Sequence, residues 1–106
     1  MITFISQPMN GLSKNEILEK RNKVIQILNS EGYEVIDSFF GDKFSKDVPP
    51  EENVVQIPVW FLSESLKKMS YCDTVYFCEG WKSARGCKIE HEVAKQYGLN
   101  IKYEKE

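Results

Sequence analysis

The hydrophobic pattern of the chain changes its period several times, and turn-forming residues mark each change. Residues 2–5 form a short apolar run, and residues 74–78 form a second run that is almost continuously β-prone. Other apolar positions recur at helical spacing, as do Val59, Leu62, Leu66 and Met69. This alternation of strand-like and helical periods indicates an α/β fold.

The predicted elements follow the order βαβαβαβ. Ser13 and Glu16 form a capping box, which places the start of the first helix at Ser13, and Gly32 supplies a left-handed residue at its end. We expect strands at residues 2–5, 33–37, 74–78 and 99–103, and further helices at residues 58–69 and 87–97. Residues 38–53 carry Gly41, Pro49 and Pro50 among charges, which predicts a long loop that covers a site.

Right-handed crossovers arrange these elements as a three-layer, Rossmann/flavodoxin-like fold. We expect a mostly parallel four-stranded sheet in the order 2-1-3-4, with helices on both faces. The chain reverses direction between strands one and three, and ligands bind at the carboxyl ends of the strands beside such a switch point. The prediction brings together residues 6–11, the loop 79–86 and the start of the third helix.

The length, charge balance and cysteine content of the chain exclude several classes of function. The 106 residues suit one domain spanning 1–106, and 14 basic against 16 acidic side chains provide no concentrated basic face for nucleic acid or a membrane surface. No apolar run approaches the roughly 20 residues that span a bilayer, so we expect a cytoplasmic protein. The three cysteines and single histidine lack metal-ligand spacing, so we expect neither a metal nor a cofactor.

Glu90 is the most informative candidate for chemistry. It lies four residues from both Gly86 and Ala94, and the helical pattern puts Val93 and Tyr97 on the same inward face. A carboxylate facing inward is unfavourable unless it is paired or used. The competing interpretation is an ordinary first-turn glutamate favoured by the helix dipole.

The loop before the third helix offers further candidates. Ser83, Arg85 and the Gly86 amide suit a phosphate or carboxylate, although a routine turn with an N-cap serine explains the same residues. Trp81 either stacks on a planar ring of a ligand or covers the hydrophobic core. His91 follows Glu90 by about 100° around the helix, and we interpret it as a surface residue.

Together these segments resemble a known family, the small proteins similar to nucleoside 2-deoxyribosyltransferases. Residues 2–12, ITFISQPMNGL, are similar to the family's aromatic-x-x-G-P-M-x-G start. Residues 80–91, GWKSARGCKIEH, are similar to its G-W-x-x-S-R-G-x-x-x-E-H motif. Residues 34–37 and 66–73 add weaker matches, so the resemblance spans nearly the whole chain.

The resemblance implies a nucleoside or nucleotide ligand. It also implies that Glu90 attacks the anomeric carbon of a deoxyribosyl group, releasing the base and leaving a glycosyl-enzyme. Ser83, Arg85 and Gly86 would then hold phosphate or sugar oxygens. Sugar and base would be enclosed by Trp81 and by the residues of the first loop, namely Ser6, Gln7, Pro8, Met9 and Asn10.

The chain departs from the family pattern at four positions. Phe4 stands where a tyrosine usually orients the nucleophile, and Ser65 where the transferases carry an aspartate for the base. Ala84 replaces an aspartate or serine, unless Ser83 shifts to substitute for it, and Gln7 replaces a glycine. These changes keep a second hypothesis open, a non-catalytic binder that sequesters or senses a nucleotide-derived signal, as a phage counter-defence protein would.

Related proteins complete their sites across a dimer interface. We therefore expect a homodimer or a higher homo-oligomer, with apolar surface supplied by aromatic residues: Phe39, Phe40, Phe44, Trp60 and Phe61.

Overall fold

The computed structural model of the chain describes residues 1–36 and 49–104. The predicted strand end at Asp37, most of the predicted loop 38–53, and Phe39, Phe40 and Phe44 lie outside the described residues. The strands are β1 (Ile2–Ser6), β2 (Glu34–Val35), β3 (Thr74–Phe77) and β4 (Asn100–Tyr103). The helices are α1 (Lys14–Ser30), α2 (Ile57–Met69) and α3 (Arg85–Gln96), and a short 3₁₀ turn spans Trp81–Ser83.

The four strands form one parallel sheet in the order β2-β1-β3-β4, which confirms the predicted topology. β1 pairs with β3 from Thr3↔Thr74 to Ser6↔Phe77, and β3 pairs with β4 up to Phe77↔Tyr103. Ser6, Phe77 and Tyr103 therefore lie side by side at the carboxyl edge of the sheet. This edge is where a parallel α/β sheet presents its ligand site.

The helices cover both faces of the sheet. On one face, Ile5 and Tyr76 pack with Val24 and Leu28 of α1. On the other face, Phe4, Val75 and Phe77 pack with Met69 of α2 and Ala94 of α3. Because side chains alternate along a strand, Ser6 shares the face of Phe4 and points toward α3.

The start of α1 agrees with its sequence signal. Ser13 is the N-cap, its hydroxyl accepts from the Glu16 amide, and the Glu16 carboxylate accepts from the Ser13 amide. Both bonds satisfy amides that have no partner within the helix. The capping box thus fixes where the first loop ends.

The third helix differs from the prediction in ways that matter for the site. It begins at Arg85 rather than Cys87, and its N-cap is Ala84, so Ser83 does not cap it. Tyr97, the C-cap, is 80% exposed, so it does not lie on the inward face of the helix. His91 is half-buried rather than on the surface.

Within residues 1–36 and 49–104, no helix has both the length and the apolar character needed to cross a bilayer.

Candidate functional site

The centre of the candidate site is a contact between α3 and the end of β1. The Ser6 hydroxyl donates a hydrogen bond to Oε1 of Glu90 over 2.6 Å. Ser6 is 1% exposed and Glu90 is 7% exposed, so both groups are enclosed. Glu90 is the sixth residue of α3, and α3 has no acidic residue in its first turn, so the interpretation as a first-turn glutamate does not hold.

Burial changes the acidity of Glu90. Removal of the carboxyl group from water raises its pKa from 4.5 to about 7, although the bond from Ser6 acts in the opposite direction by stabilising the ionised form. In the described part of the chain, Glu90 is the only buried carboxylate. Such a group titrates near neutral pH, which is typical of carboxyl groups that perform chemistry.

Cys87 lies one turn before Glu90 and completes a small buried cluster with Ser6. Cys87, Glu90 and Ala94 form the buried stripe of α3, as their i, i+3 and i+7 spacing dictates. Burial raises the pKa of the Cys87 thiol to about 11, while a side-chain hydrogen bond with Ser6 lowers it. The thiol is therefore protonated at neutral pH and serves as a packing and hydrogen-bonding group rather than a nucleophile.

The first loop is split between the two faces of the sheet. The Gln7 side chain is buried on the α1 side, where Nε2 donates to the Ile17 carbonyl oxygen and Oε1 accepts from Arg21. Pro8 is half-buried, whereas Met9 and Asn10 are exposed. The loop thus places Ser6 beside Glu90 and directs Gln7 away from it.

The second loop contacts the first. Gly80 has a left-handed backbone with φ +89°, and a Cβ placed there would lie 3.7 Å from Cγ of Pro8. Ser83, Arg85 and Gly86 follow and are exposed. The helical hydrogen bonds of α3 begin with the Lys88 amide, which donates to the Ala84 carbonyl oxygen. The amides before Lys88 have no partner within the helix, so they point out of its N-terminal end toward this loop.

Trp81 lies with a group of aromatic rings on the other side of β3. Its ring stacks on His91 with centroids 4.1 Å apart and planes 22° apart. Nε2 of His91 is 2.7 Å from the Tyr103 hydroxyl oxygen. Glu90 bonds to Ser6 of β1, and His91 bonds to Tyr103 of β4. Since β3 lies between these two strands, α3 lies across β3. Trp81, which stacks on His91, is therefore on the side of α3 that faces β4.

A shallow depression adjoins this aromatic group. Its volume is about 240 Å³, and its lining consists of Phe77 and residues of the second loop: Glu79, Gly80, Trp81 and Lys82. Glu90 and Ser6 are not among these residues. The described residues therefore form two neighbouring features at one sheet edge, the enclosed carboxyl group and the aromatic depression.

The positions at which the chain departs from the transferase pattern differ in burial. Phe4 is a buried core residue, whereas Ser65 on α2 and the N-cap Ala84 are half-buried. Sequence reasoning missed Cys87, His91 and Tyr103 as neighbours of the site. The spacing of Cys87 three residues before Glu90 was a usable signal, whereas the position of Tyr103 depends on strand pairing.

The described residues contain no group of three or more His, Cys, Asp or Glu side chains able to hold a metal ion. Cys72, Cys78 and Cys87 are all free thiols.

A family model described as a domain of unknown function, DUF4406, matches residues 1–103. Neither the curated proteins nor the solved structures provide a match. The family match includes β1, the second loop and Glu90, and it is compatible with the resemblance to nucleoside 2-deoxyribosyltransferases, which stays a prediction.

Proposed function

The chain belongs to the DUF4406 family, whose function is unknown, and we propose that it binds a nucleoside or nucleotide and cleaves or transfers the N-glycosidic bond through Glu90. The observation that carries the proposal is the enclosed Glu90 carboxyl group, bonded to Ser6 at the carboxyl edge of a parallel sheet. Among the described residues no cation lies beside this buried acid, which is unfavourable for folding, so its presence at the ligand edge supports a functional role.

The proposed reaction proceeds in two displacements. An oxygen of ionised Glu90 bonds to the anomeric carbon of the sugar while the bond from that carbon to the base nitrogen breaks, and the electron pair leaves with the base. A water molecule or a second base then attacks the same carbon, and the carboxylate is released. Hydrolysis consumes one water and yields free base and sugar.

The released base also needs a proton. Ser65 occupies the position of the transferases' aspartate, and a serine hydroxyl is too weak an acid for this task. Positioned acid catalysis is worth roughly 10²–10⁴-fold in rate, so proton supply from water predicts slow turnover.

Ligand oxygens have suitable partners near α3. We propose that Ser83, Arg85 and the Gly86 amide bind phosphate or sugar hydroxyl groups, since helix N-termini and guanidinium groups favour anions. Trp81 would then contact the base from the aromatic depression, and Pro8, Met9 and Asn10 would border the sugar.

A second candidate function is a binder that sequesters or senses a nucleotide-derived signal without turnover. The observation in its favour is Ser65, since a site without an acid for the leaving base is better suited to holding a nucleotide than to cleaving it. This candidate uses the same surface and differs only in the fate of the ligand.

We also propose a homo-oligomer, because the edge of so small a domain forms only one wall of a site. Phe61 is buried in the chain's own core, whereas Trp60 is half-buried and Val59 is exposed on the same helix. Light scattering at micromolar concentration tests this, and a monomer would refute it.

One experiment separates the two functions. The protein is incubated with a panel of nucleosides and nucleotides, free base is measured by chromatography, and binding is measured by calorimetry. We expect base release by the native chain and none by Glu90→Gln, with Glu92→Gln as the control because Glu92 is an exposed residue of the same helix. Binding without release by the native chain supports the binder, and neither binding nor release contradicts both.

A further inference from the structure

The contact between Ser6 and Glu90 distinguishes the two oxygens of the carboxyl group. Oε1 accepts the Ser6 hydroxyl at 2.6 Å. Oε2 has no hydrogen-bond partner among the described residues, and it is not one of their fully buried unpartnered atoms, so it retains some exposure. One oxygen is thus held by the protein and the other is left for a ligand.

The Ser6 hydroxyl itself is inaccessible. Ser6 is 1% exposed, and its backbone is fixed because its carbonyl oxygen accepts from the Cys78 amide at 3.0 Å within the parallel pairing. Cys87 contacts the same hydroxyl from one turn earlier in α3. With β1 on one side and two buried side chains of α3 on the other, the hydroxyl is shielded from a ligand.

We propose that Ser6 is a positioning residue: its hydroxyl holds Oε1 of Glu90 and thereby leaves Oε2 as the oxygen that attacks the anomeric carbon. This inference rests on the proposed function and changes the role of Ser6 from substrate contact to support of the nucleophile. A hydrogen bond to one oxygen restricts rotation of the carboxyl group, and orientation of a nucleophile is a large part of enzymatic rate enhancement.

The same bond favours the ionised form that attack requires. Burial and the Ser6 hydroxyl are the two influences on the pKa of Glu90, and among the described residues no charged side chain contributes. Loss of the Ser6 hydroxyl therefore removes the influence that lowers the pKa of Glu90, and burial then raises this pKa further. This second effect can be measured without any turnover.

The first test is a titration of Glu90 by carboxyl-carbon NMR, with the signal assigned from its absence in Glu90→Gln. We expect Ser6→Ala to raise the pKa of Glu90 by roughly one unit and Ser6→Thr, which keeps the hydroxyl, to leave it near the native value. Ser63→Ala is the matched control, because this exposed hydroxyl bonds to the Trp60 carbonyl in its own helix. A Glu90 pKa that is unchanged in Ser6→Ala overturns the proposal, and thermal unfolding of each variant verifies that it is folded.

The second test separates the effect of Ser6 on kcat from its effect on KM in base release. We expect Ser6→Ala to lower kcat by roughly 10–100-fold with little change in KM, and Ser6→Thr to restore most of kcat. An increase in KM at constant kcat means that Ser6 binds substrate and overturns the proposal. If no nucleoside is cleaved, the proposed function fails, whereas the titration still decides whether Ser6 controls Glu90.

Discussion

Replacement of Glu90 by glutamine is expected to stabilise the protein, and to do so increasingly as the pH rises. The amide has nearly the same shape as the carboxyl group, and its oxygen can accept the Ser6 hydroxyl as Oε1 does. What the substitution removes is a buried group that acquires a negative charge. The expected effect is therefore electrostatic, with packing left almost unchanged.

The magnitude follows from the pKa. Burial raises the pKa of Glu90 from 4.5 to about 7, and each unit corresponds to about 1.4 kcal/mol, so ionisation destabilises the fold by about 3 kcal/mol. Below 4.5 the group is protonated in both the folded and unfolded chain and has no such effect. As the pH rises from 4.5 to 7 the unfolded chain ionises first, stability is lost, and above about 7 the loss is complete.

The assay is chemical denaturation of the native chain and of Glu90→Gln from about pH 4 to about pH 9. We expect equal free energies of unfolding at the acidic end and a difference of about 3 kcal/mol in favour of Glu90→Gln at the alkaline end. Glu92→Gln controls for the loss of one negative charge from α3. A difference that does not change with pH, or one that Glu92→Gln reproduces, refutes the reasoning.

Three further predictions concern the same region. Base release by the native chain should rise with pH and level off above the Glu90 pKa of about 7, because the ionised carboxylate is the attacking form; a pH-rate profile that falls through neutrality contradicts this. Gly80→Ala should lower the free energy of unfolding by about 1–2 kcal/mol, because φ at this position is +89°. Gly86→Ala should raise the free energy of unfolding by about 0.5–1 kcal/mol, because Gly86 is a helical residue with open space for a methyl group, and denaturation curves check both values. Trp81→Ala should raise the pKa of His91 in an NMR titration, because burial is the largest cause of the lowered His91 pKa and the Trp81 ring stacks on the imidazole. An unchanged pKa would mean that Phe77 and Tyr103 bury His91 instead.

The fold could be predicted from sequence because its signals are local. The capping box at Ser13 and Glu16 and the nearly continuous apolar run of β3 each mark an element within a few residues. Given parallel strands, right-handed crossovers leave few topologies. The boundaries followed less closely from the pattern: α3 begins at Arg85, two residues before the expected Cys87, with Ala84 as its N-cap.

The site was only partly predictable, because its contacts join distant segments. The inward direction of Glu90 followed from its spacing to Gly86 and Ala94, but its bond to Ser6 depends on the register of β1 with β3. Extension of β1 to Ser6 also sends Gln7 to the opposite face, where it supports α1. Periodicity within the helix predicts a surface position for His91, because it does not reveal the partners that another strand and the 3₁₀ turn supply.

The central claim is that Glu90 forms a covalent bond to the sugar of a nucleoside or nucleotide. Its most direct test is mass spectrometry of the protein after brief incubation with substrate and acid quenching, followed by peptide mapping. We predict a mass increase equal to one glycosyl group, located on Glu90 and absent in Glu90→Gln. Release of base without an adduct, or an adduct on another residue, would contradict the claim.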